Sequence, residues 1–253
     1  MLEALPFFAS PPPRVLAHRG LALEAPENTL LAFAHAMARG VTHLETDVQV
    51  SADGVAMIAH DRDLQRVAGL EATVDALTAR ELAALDLGER QHVPTLAEAL
   101  DALPDAFFNI DLKTMAAVVP TVEAITAARA EQRVLLTSFS ERSRRAALKL
   151  LPGVATSASG PRFAAALLSS VVRGGAAVRA ALRGLHAVQI PQRALGLDTV
   201  TPARIRAFHR AGVEVHVWTI NDEATMRLLL ARGVDGLVTD RADIALEVID
   251  SLA

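Results

Sequence analysis

The stretch VTHLETDVQVSADGVAMIAHD, from Val41 to Asp61, opens as a buried strand, HLETDVQV, yet sets Glu45 and Asp47 two residues apart on one face of it. A strand covered on both sides reads as a nearly continuous apolar run, so two acids on one face mark a sheet whose inner side does more than pack. Similar runs recur along the chain. Strands are expected over 14–20, 43–50, 106–113, 133–139, 153–159, 186–191, 213–220 and 235–240, with alanine-rich segments of helical spacing between them. One of these, ENTLLAFAHAMARG, keeps apolar residues three and four apart and ends on Gly40, as a helix C-terminus favours.

Eight strand–helix units in 253 residues predict an α/β fold, a TIM (β/α)8 barrel forming one domain over 1–253. A doubly wound sheet would carry a glycine-rich phosphate loop after its first strand, and HRGLALEAPEN has no G-x-G-x-x-G. After the second strand, Asp53 and Gly54 turn the chain into another short apolar strand, and about thirty residues pass before VPTLAEALDAL resumes the helical pattern. A small insertion over about 52–93 is therefore expected on the loop side of the barrel.

A net charge of −4 argues against the broad basic surface that nucleic acid requires, so no nucleic-acid partner is expected. The absence of cysteine excludes a disulfide framework, a thiolate metal site and a cysteine nucleophile. MLEALPFFASPPPR has no basic leading region and only a broken apolar run, unlike a secretory signal. No stretch reaches the roughly 18 to 20 apolar residues of a membrane span; the nearest, Arg162 to Arg183, is cut by Arg173 and two glycines. A cytoplasmic protein without a stable membrane anchor is the expectation, and the sequence leaves its oligomeric state open. Only two of the 25 basic residues are lysines, Lys113 and Lys149, which makes a lysine in a strand conspicuous.

Active sites of such barrels sit at the C-terminal ends of the strands. There the first strand offers His18 and Arg19, the second Glu45 and Asp47, and the third Asn109, Asp111 and Lys113. Glu45 and Asp47 share a face with α-carbons about 6.6 Å apart, and Asp111 and Lys113 share one too. Carboxylates crowded in a low-dielectric lumen repel one another unless a positive charge offsets them. A divalent cation is the simplest such charge, and oxygen-only ligands favour Mg2+ or Ca2+ over zinc. Solvated strand-end acids, or partners of Arg19 and Lys113, are the plainer alternative. His18 and His60 each close an apolar strand before a charged residue and suit proton transfer near neutral pH. His35, His92 and His209 read as surface residues of helices or loops. Arg19 is suited to phosphate, or pairs with Glu27 or Glu45; Lys113 contacts phosphate or balances the acids. Trp218 is either a core aromatic closing the barrel or a wall for the substrate's alcohol group.

Taken in order, AHRG, APENTLLAF, LETDVQVSADGVAMIAHD, PTLAEAL, NIDLK, WTIN and GVDGLVTDRAD resemble the successive motifs of the glycerophosphodiester phosphodiesterases across nearly the whole chain. The resemblance implies a TIM barrel with a small insertion after the second strand, and metal-dependent hydrolysis of a small-molecule phosphodiester to glycerol 3-phosphate and an alcohol. By the same resemblance His18 and His60 are catalytic, Glu45, Asp47 and Asp111 bind the metal, and Arg19 and Lys113 contact phosphate. Asn28, in PEN, is read as a structural cap of the helix that follows. At the third metal position the family usually has glutamate, and Asp111 is one methylene shorter. Two other functions remain open: a lysophospholipase D, with the apolar segment Phe163 to Val172 as a rim for an acyl chain, and a non-catalytic barrel that retains phosphate recognition.

Overall fold

The structure, a computed structural model, describes residues 5–172 and 174–252. The first four residues of the N-terminal stretch, and Arg173, which interrupts the apolar run, lie outside them. Eight strands form the barrel: β1 Arg14–His18, β2 His43–Val50, β3 Phe107–Leu112, β4 Val134–Thr137, β5 Ala155–Thr156, β6 Ala187–Pro191, β7 Glu214–Trp218 and β8 Gly236–Thr239. They pair in parallel in the order β5-β4-β3-β2-β1-β8-β7-β6. A bridge between Ser157 and Ala187, with His186 N donating to Thr156 O at 2.9 Å, joins the two ends of that order. Each expected strand is present, most of them trimmed by one to three residues at either end where turns begin.

Alternation explains how β2 can be buried almost throughout and still carry acids. Leu44 and Val48 pack outward with Val15, Phe108, Ile110, Val134, Val215 and Leu237 in the core between strands and helices. The opposite parity, His43, Glu45, Asp47 and Gln49, points into the lumen. Few lumen positions are filled by the branched apolar residues usual for such barrels. Instead the lower end is closed by a short 3-10 turn, Pro6–Phe8, whose Phe7 and Phe8 pack on Leu135, Ala155 and Ala187. The carbonyls of that turn accept from the lumen's bases: Phe8 O from Arg14 Nη2 at 3.0 Å, and Phe7 O lies 2.9 Å from His43 Nε2.

Between β2 and the helix Leu96–Ala102 the chain makes its excursion. The strand Ala56–Ile58 runs back antiparallel to β2, as the Asp53–Gly54 turn predicts. Two further short strands, Asp63–Leu64 and Leu70–Thr73, and the helices Gln65–Ala68 and Ala79–Ala83 follow. Met57, Leu64, Val74, Leu82 and Val93 give this segment a small core of its own. Thr78 and Thr95 start its last helix and the next barrel helix with capping boxes to Glu81 and Glu98. Among the described residues no helix is long and apolar enough to cross a membrane.

Gly20 ends the turn after β1 at φ +85°, and a β-carbon there would lie 2.7 Å from the backbone carbon of Ala32. The helix Leu30–Ala38 therefore approaches bare backbone, and Leu21 N donates to Ala32 O at 2.9 Å. Gly20→Ala is expected to cost more than about 2 kcal/mol in chemical denaturation, from the strained conformation and the collision together. A second prediction concerns acid. Burial lowers the His43 imidazole to about 4. Because the unfolded chain protonates this group first, His43 contributes stability in full above its ordinary value of 6.5 and loses it as pH falls toward 4. Denaturation midpoints measured across that window should fall by the equivalent of up to about 3 kcal/mol, and His43→Gln should flatten the slope.

Candidate active site

The top of the lumen opens into a cavity of about 380 Å³ whose lining includes His18, Arg19, Glu45, Asp47, His60, Asn109, Asp111, Lys113 and Trp218. All eight residues assigned by sequence to catalysis, substrate or metal thus reach one cavity. None of His35, His92 and His209 lines it.

The strand register brings the acids together. Asp47 pairs with Asp111, and Glu45 with Asn109, across β2 and β3. Lys113 closes the group: its Nζ lies 2.7 Å from Asp47 Oδ1 and 2.8 Å from Asp111 Oδ2. Arg19 sits in the left-handed region, φ 58°, which swings its side chain back to Glu27 at 2.9 Å and to within 3.3 Å of Asp47 Oδ2. Its salt-bridge partners are therefore Glu27 and Asp47; to Glu45 it offers only its backbone N–H, 3.3 Å from Oε2.

Charge is unevenly shared among the three carboxyls. Burial, then the charges of Asp47 and Asp111, push Glu45 well above the ordinary carboxylate range. Burial would raise Asp47 as well, but the Lys113 ammonium, with His60 and Arg19, holds it below its usual value. Asp111 is raised by burial despite Lys113. Burial disfavours the ammonium of Lys113, and the two aspartates outweigh that and raise it.

Asn28 corrects the sequence reading. The helix Leu30–Ala38 is capped by Thr29, whose side chain accepts from Ala32 N, and not by Asn28. Asn28 instead turns inward at φ 56°, donating from Nδ2 to Asp47 Oδ2 at 3.2 Å and accepting from Thr46 Oγ1 at 2.8 Å. It is a fixed donor to a buried acid.

Each histidine has a carboxylate behind it. His18 Nδ1 lies 2.6 Å from Asp240 Oδ1, and Asn221 Nδ2 donates to Asp240 Oδ2 at 2.7 Å. His60 Nδ1 lies 2.7 Å from Asp61 Oδ1, and Arg66 Nε donates to Asp61 Oδ2 at 2.7 Å. A carboxylate at Nδ1 fixes tautomer and ring orientation and leaves Nε2 for proton exchange. The bond to His18, more than any other contact, keeps Asp240 below the usual range. Burial would raise Asp61, but His60 and Arg66 bring it down. Arg66 also reaches Glu27 at 2.8 Å, so an unbroken ionic chain links Arg19 through the insertion to His60. None of Asp61, Arg66, Asn221 and Asp240 is assigned a role by sequence; the quoted motifs hold Asp61, Asn221 and Asp240, but no spacing says that Asp240 lies behind a histidine 222 residues away.

The opposite wall is apolar, made by Phe139, Ala158, Phe163, Pro191, Ala194, Trp218 and Val238. Trp218 is half-buried, edge-to-face with Phe139 at 6.2 Å, which makes it a wall and not a closing core aromatic. The segment over 163–172 belongs to the helix Gly160–Val172. Leu167 is buried there, Leu168 and Val171 face outward, and Phe163 is its contribution to the cavity.

The donors suit a hard cation in their chemistry. All are oxygens, Asp111 Oδ1 is buried with no hydrogen-bond partner, and Glu45 is destabilised as an anion by its neighbours. The acids are not gathered into a ready cage: among the described residues no group of three or more histidine, aspartate or glutamate side chains is spaced for a metal ion, and the Lys113 ammonium stands where Asp47 and Asp111 converge.

Comparison with known proteins agrees with this geometry. The model of the glycerophosphoryl diester phosphodiesterase family matches residues 18–244. The chain is 43% identical over 236 residues to a "Probable glycerophosphodiester phosphodiesterase 2" of Mycobacterium tuberculosis, covering 92% of this chain and 89% of that protein. It is 28% identical to a glycerophosphodiester phosphodiesterase of Caldanaerobacter subterraneus, covering 93% and 97%. An Oleispira antarctica phosphodiesterase, solved in complex with the product sn-glycerol-3-phosphate, superposes with a TM-score of 0.79 at 25% identity, covering 94% of this chain and 97% of that one.

The Asp240 pair generates a prediction. Asp240→Asn puts an amide N–H either against His18 Nδ1 or against Asn221 Nδ2, and is expected to lower kcat at least about tenfold with little change in KM. Exchanging the two residues, Asp240→Asn with Asn221→Asp, restores a donor–acceptor match and should recover part of kcat. A swap no better than the single variant would show that Asp240 acts through its charge alone.

Proposed function

This chain belongs to the glycerophosphoryl diester phosphodiesterase family and is a glycerophosphodiester phosphodiesterase, and from that premise we propose that it is a metal-dependent hydrolase of glycerophosphodiesters, with His18 and His60 as general acid and base. The observation that carries the catalytic assignment is the pair of histidines at one cavity, each held at Nδ1 by an aspartate. A binding barrel would use Arg19 and Lys113 but has no need of two oriented proton carriers.

Arg19 and Lys113 face the cavity as the cations for a phosphoryl group. Glu45, Asp47 and Asp111 would hold Mg2+ or Ca2+, whose charge offsets the negative charge that develops at phosphorus. One histidine takes the proton of the attacking oxygen, from water or from the 2-hydroxyl of the glycerol. The other returns a proton to the departing alkoxide as its P–O bond breaks: attack by water gives glycerol 3-phosphate and a neutral alcohol at once, whereas attack by the 2-hydroxyl releases the alcohol and leaves a cyclic glycerol phosphate, whose ring water then opens to glycerol 3-phosphate. The proposal includes one barrel domain over 1–253, with about 52–93 as its insertion, and a cytoplasmic location.

The apolar wall of Phe139, Phe163 and Trp218 favours a second reading, a lysophospholipase D that accepts a lysophospholipid. Turnover of glycerophosphocholine against lysophosphatidylcholine separates the two by the ratio of kcat/KM.

Glycerol 3-phosphate release from glycerophosphocholine is expected to fall at least about 100-fold in chelator and to return with added Mg2+ or Ca2+. Asp111→Ala should behave like chelated enzyme, and Asp111→Glu should stay active with a changed metal preference. Full turnover in chelator would remove the cation from the mechanism.

A further inference from the structure

Below the cavity floor the lumen holds a chain of hydrogen bonds that proton transfer does not use. Arg14 pairs with Glu214 through Nε to Oε2 and Nη2 to Oε1, both 2.9 Å. Glu214 Oε2 lies 2.9 Å from His216 Nε2, and His216 Nδ1 lies 3.4 Å from Gln189 Nε2. Gln189 Nε2 donates to Asn109 Oδ1 at 3.0 Å, while Gln189 Oε1 accepts from Ser157 Oγ at 3.2 Å. Asn109 and Gln189 both line the cavity.

With His216 neutral, the direction of every bond from Arg14 to Asn109 follows. Guanidinium only donates and carboxylate only accepts. A neutral imidazole beside Glu214 carries its proton on Nε2 and accepts at Nδ1. Gln189 must then turn its amide nitrogen toward His216, and the same nitrogen commits Asn109 Oδ1 as an acceptor. The His216 ring cannot drift, since it fills the space of a missing side chain: a β-carbon on Gly236 would lie 2.7 Å from His216 Cδ2. What remains is Asn109 Nδ2, which donates no hydrogen bond among the described residues, in a residue that lines the cavity and is only 3% exposed.

We propose that Asn109 is a substrate-binding residue whose Nδ2 donates a hydrogen bond to an oxygen of the bound glycerophosphoryl group, with Gln189 and His216 as positioning residues that set the direction of its amide. The inference rests on the function proposed above and adds a residue to it. An amide donor selects an acceptor oxygen, not a cation or an apolar group. Asn109 lies two residues deeper along β3 than Asp111, so it meets the part of the substrate that enters furthest.

Calorimetric titration of the Mg2+-loaded protein with sn-glycerol 3-phosphate, and separately with inorganic phosphate, tests this. Asn109→Ala should weaken glycerol 3-phosphate binding by about tenfold. Asn109→Asp, of the same size, should weaken it more because it turns an acceptor toward the ligand. Gln189→Glu should also lose affinity, since it accepts where Gln189 donates and turns the Asn109 amide over; added to Asn109→Ala it should cost nothing further. Loss for glycerol 3-phosphate alone assigns the partner oxygen to glycerol, and equal loss for inorganic phosphate assigns it to the phosphoryl group. Asn109→Ala binding within twofold of wild type overturns the assignment, as does a Gln189→Glu loss that persists in full in the double variant. If wild type releases glycerol 3-phosphate from glycerophosphocholine while Asn109→Ala binds the product equally well, only this inference falls. A wild type that does neither removes the functional reading along with it.

Discussion

Glu45, Asp47 and Asp111 are crowded together, each buried, at the top of the lumen, and much of the surrounding structure serves to make that tolerable. Isolated buried carboxylates cost several kcal/mol each, so every neighbouring element contributes a compensating group. The residue just after β3 is Lys113, two beyond Asp111, the turn after β1 supplies Arg19, and the loop before the first barrel helix supplies Asn28. The compensation is incomplete at Glu45 and at Asp111 Oδ1, and that residue of unbalanced charge is what a hard cation would complete.

The same constraint organises the two histidines of the cavity. His18 ends β1 and is steadied by Asp240 from just beyond β8, so the first and last strands of the barrel, already paired in the sheet, are tied again at the site. His60 is delivered by the excursion after β2, and Arg66 ties it through Asp61 and Glu27 to Arg19. The insertion is therefore more than a loop, because it ties one of the two cavity histidines to Arg19. Phe139, Phe163 and Trp218, which also line the cavity, carry no charge and give it an apolar surface beside the ionic one.

The eight strands were legible because each pairs β-branched content with turn residues, and β2 was legible to its exact ends because alternation runs through all eight of its residues. That most of the assigned residues would share one cavity was legible for a related reason: they stand toward the C-terminal ends of barrel strands. Asn28 is the exception, since a cap and an inward donor look alike in PENT, and only the positive φ and Thr29's own cap separate them. Asp240, Asn221 and Arg66 carry no local mark, because their partners lie far along the chain.

By itself the sequence determined the barrel, the excursion after β2 and the identity of the acids, histidines and cations at the strand ends, since local periodicity and residue chemistry are properties of short segments. The tertiary structure alone decided which carboxylate stands behind which histidine, that Lys113 is shared between two aspartates, and that a hydrogen-bond chain from Arg14 sets the direction of Asn109. Those are facts of barrel closure, which brings residues some 200 positions apart into contact, and of hydrogen-bond polarity, which is settled only when donor and acceptor face one another.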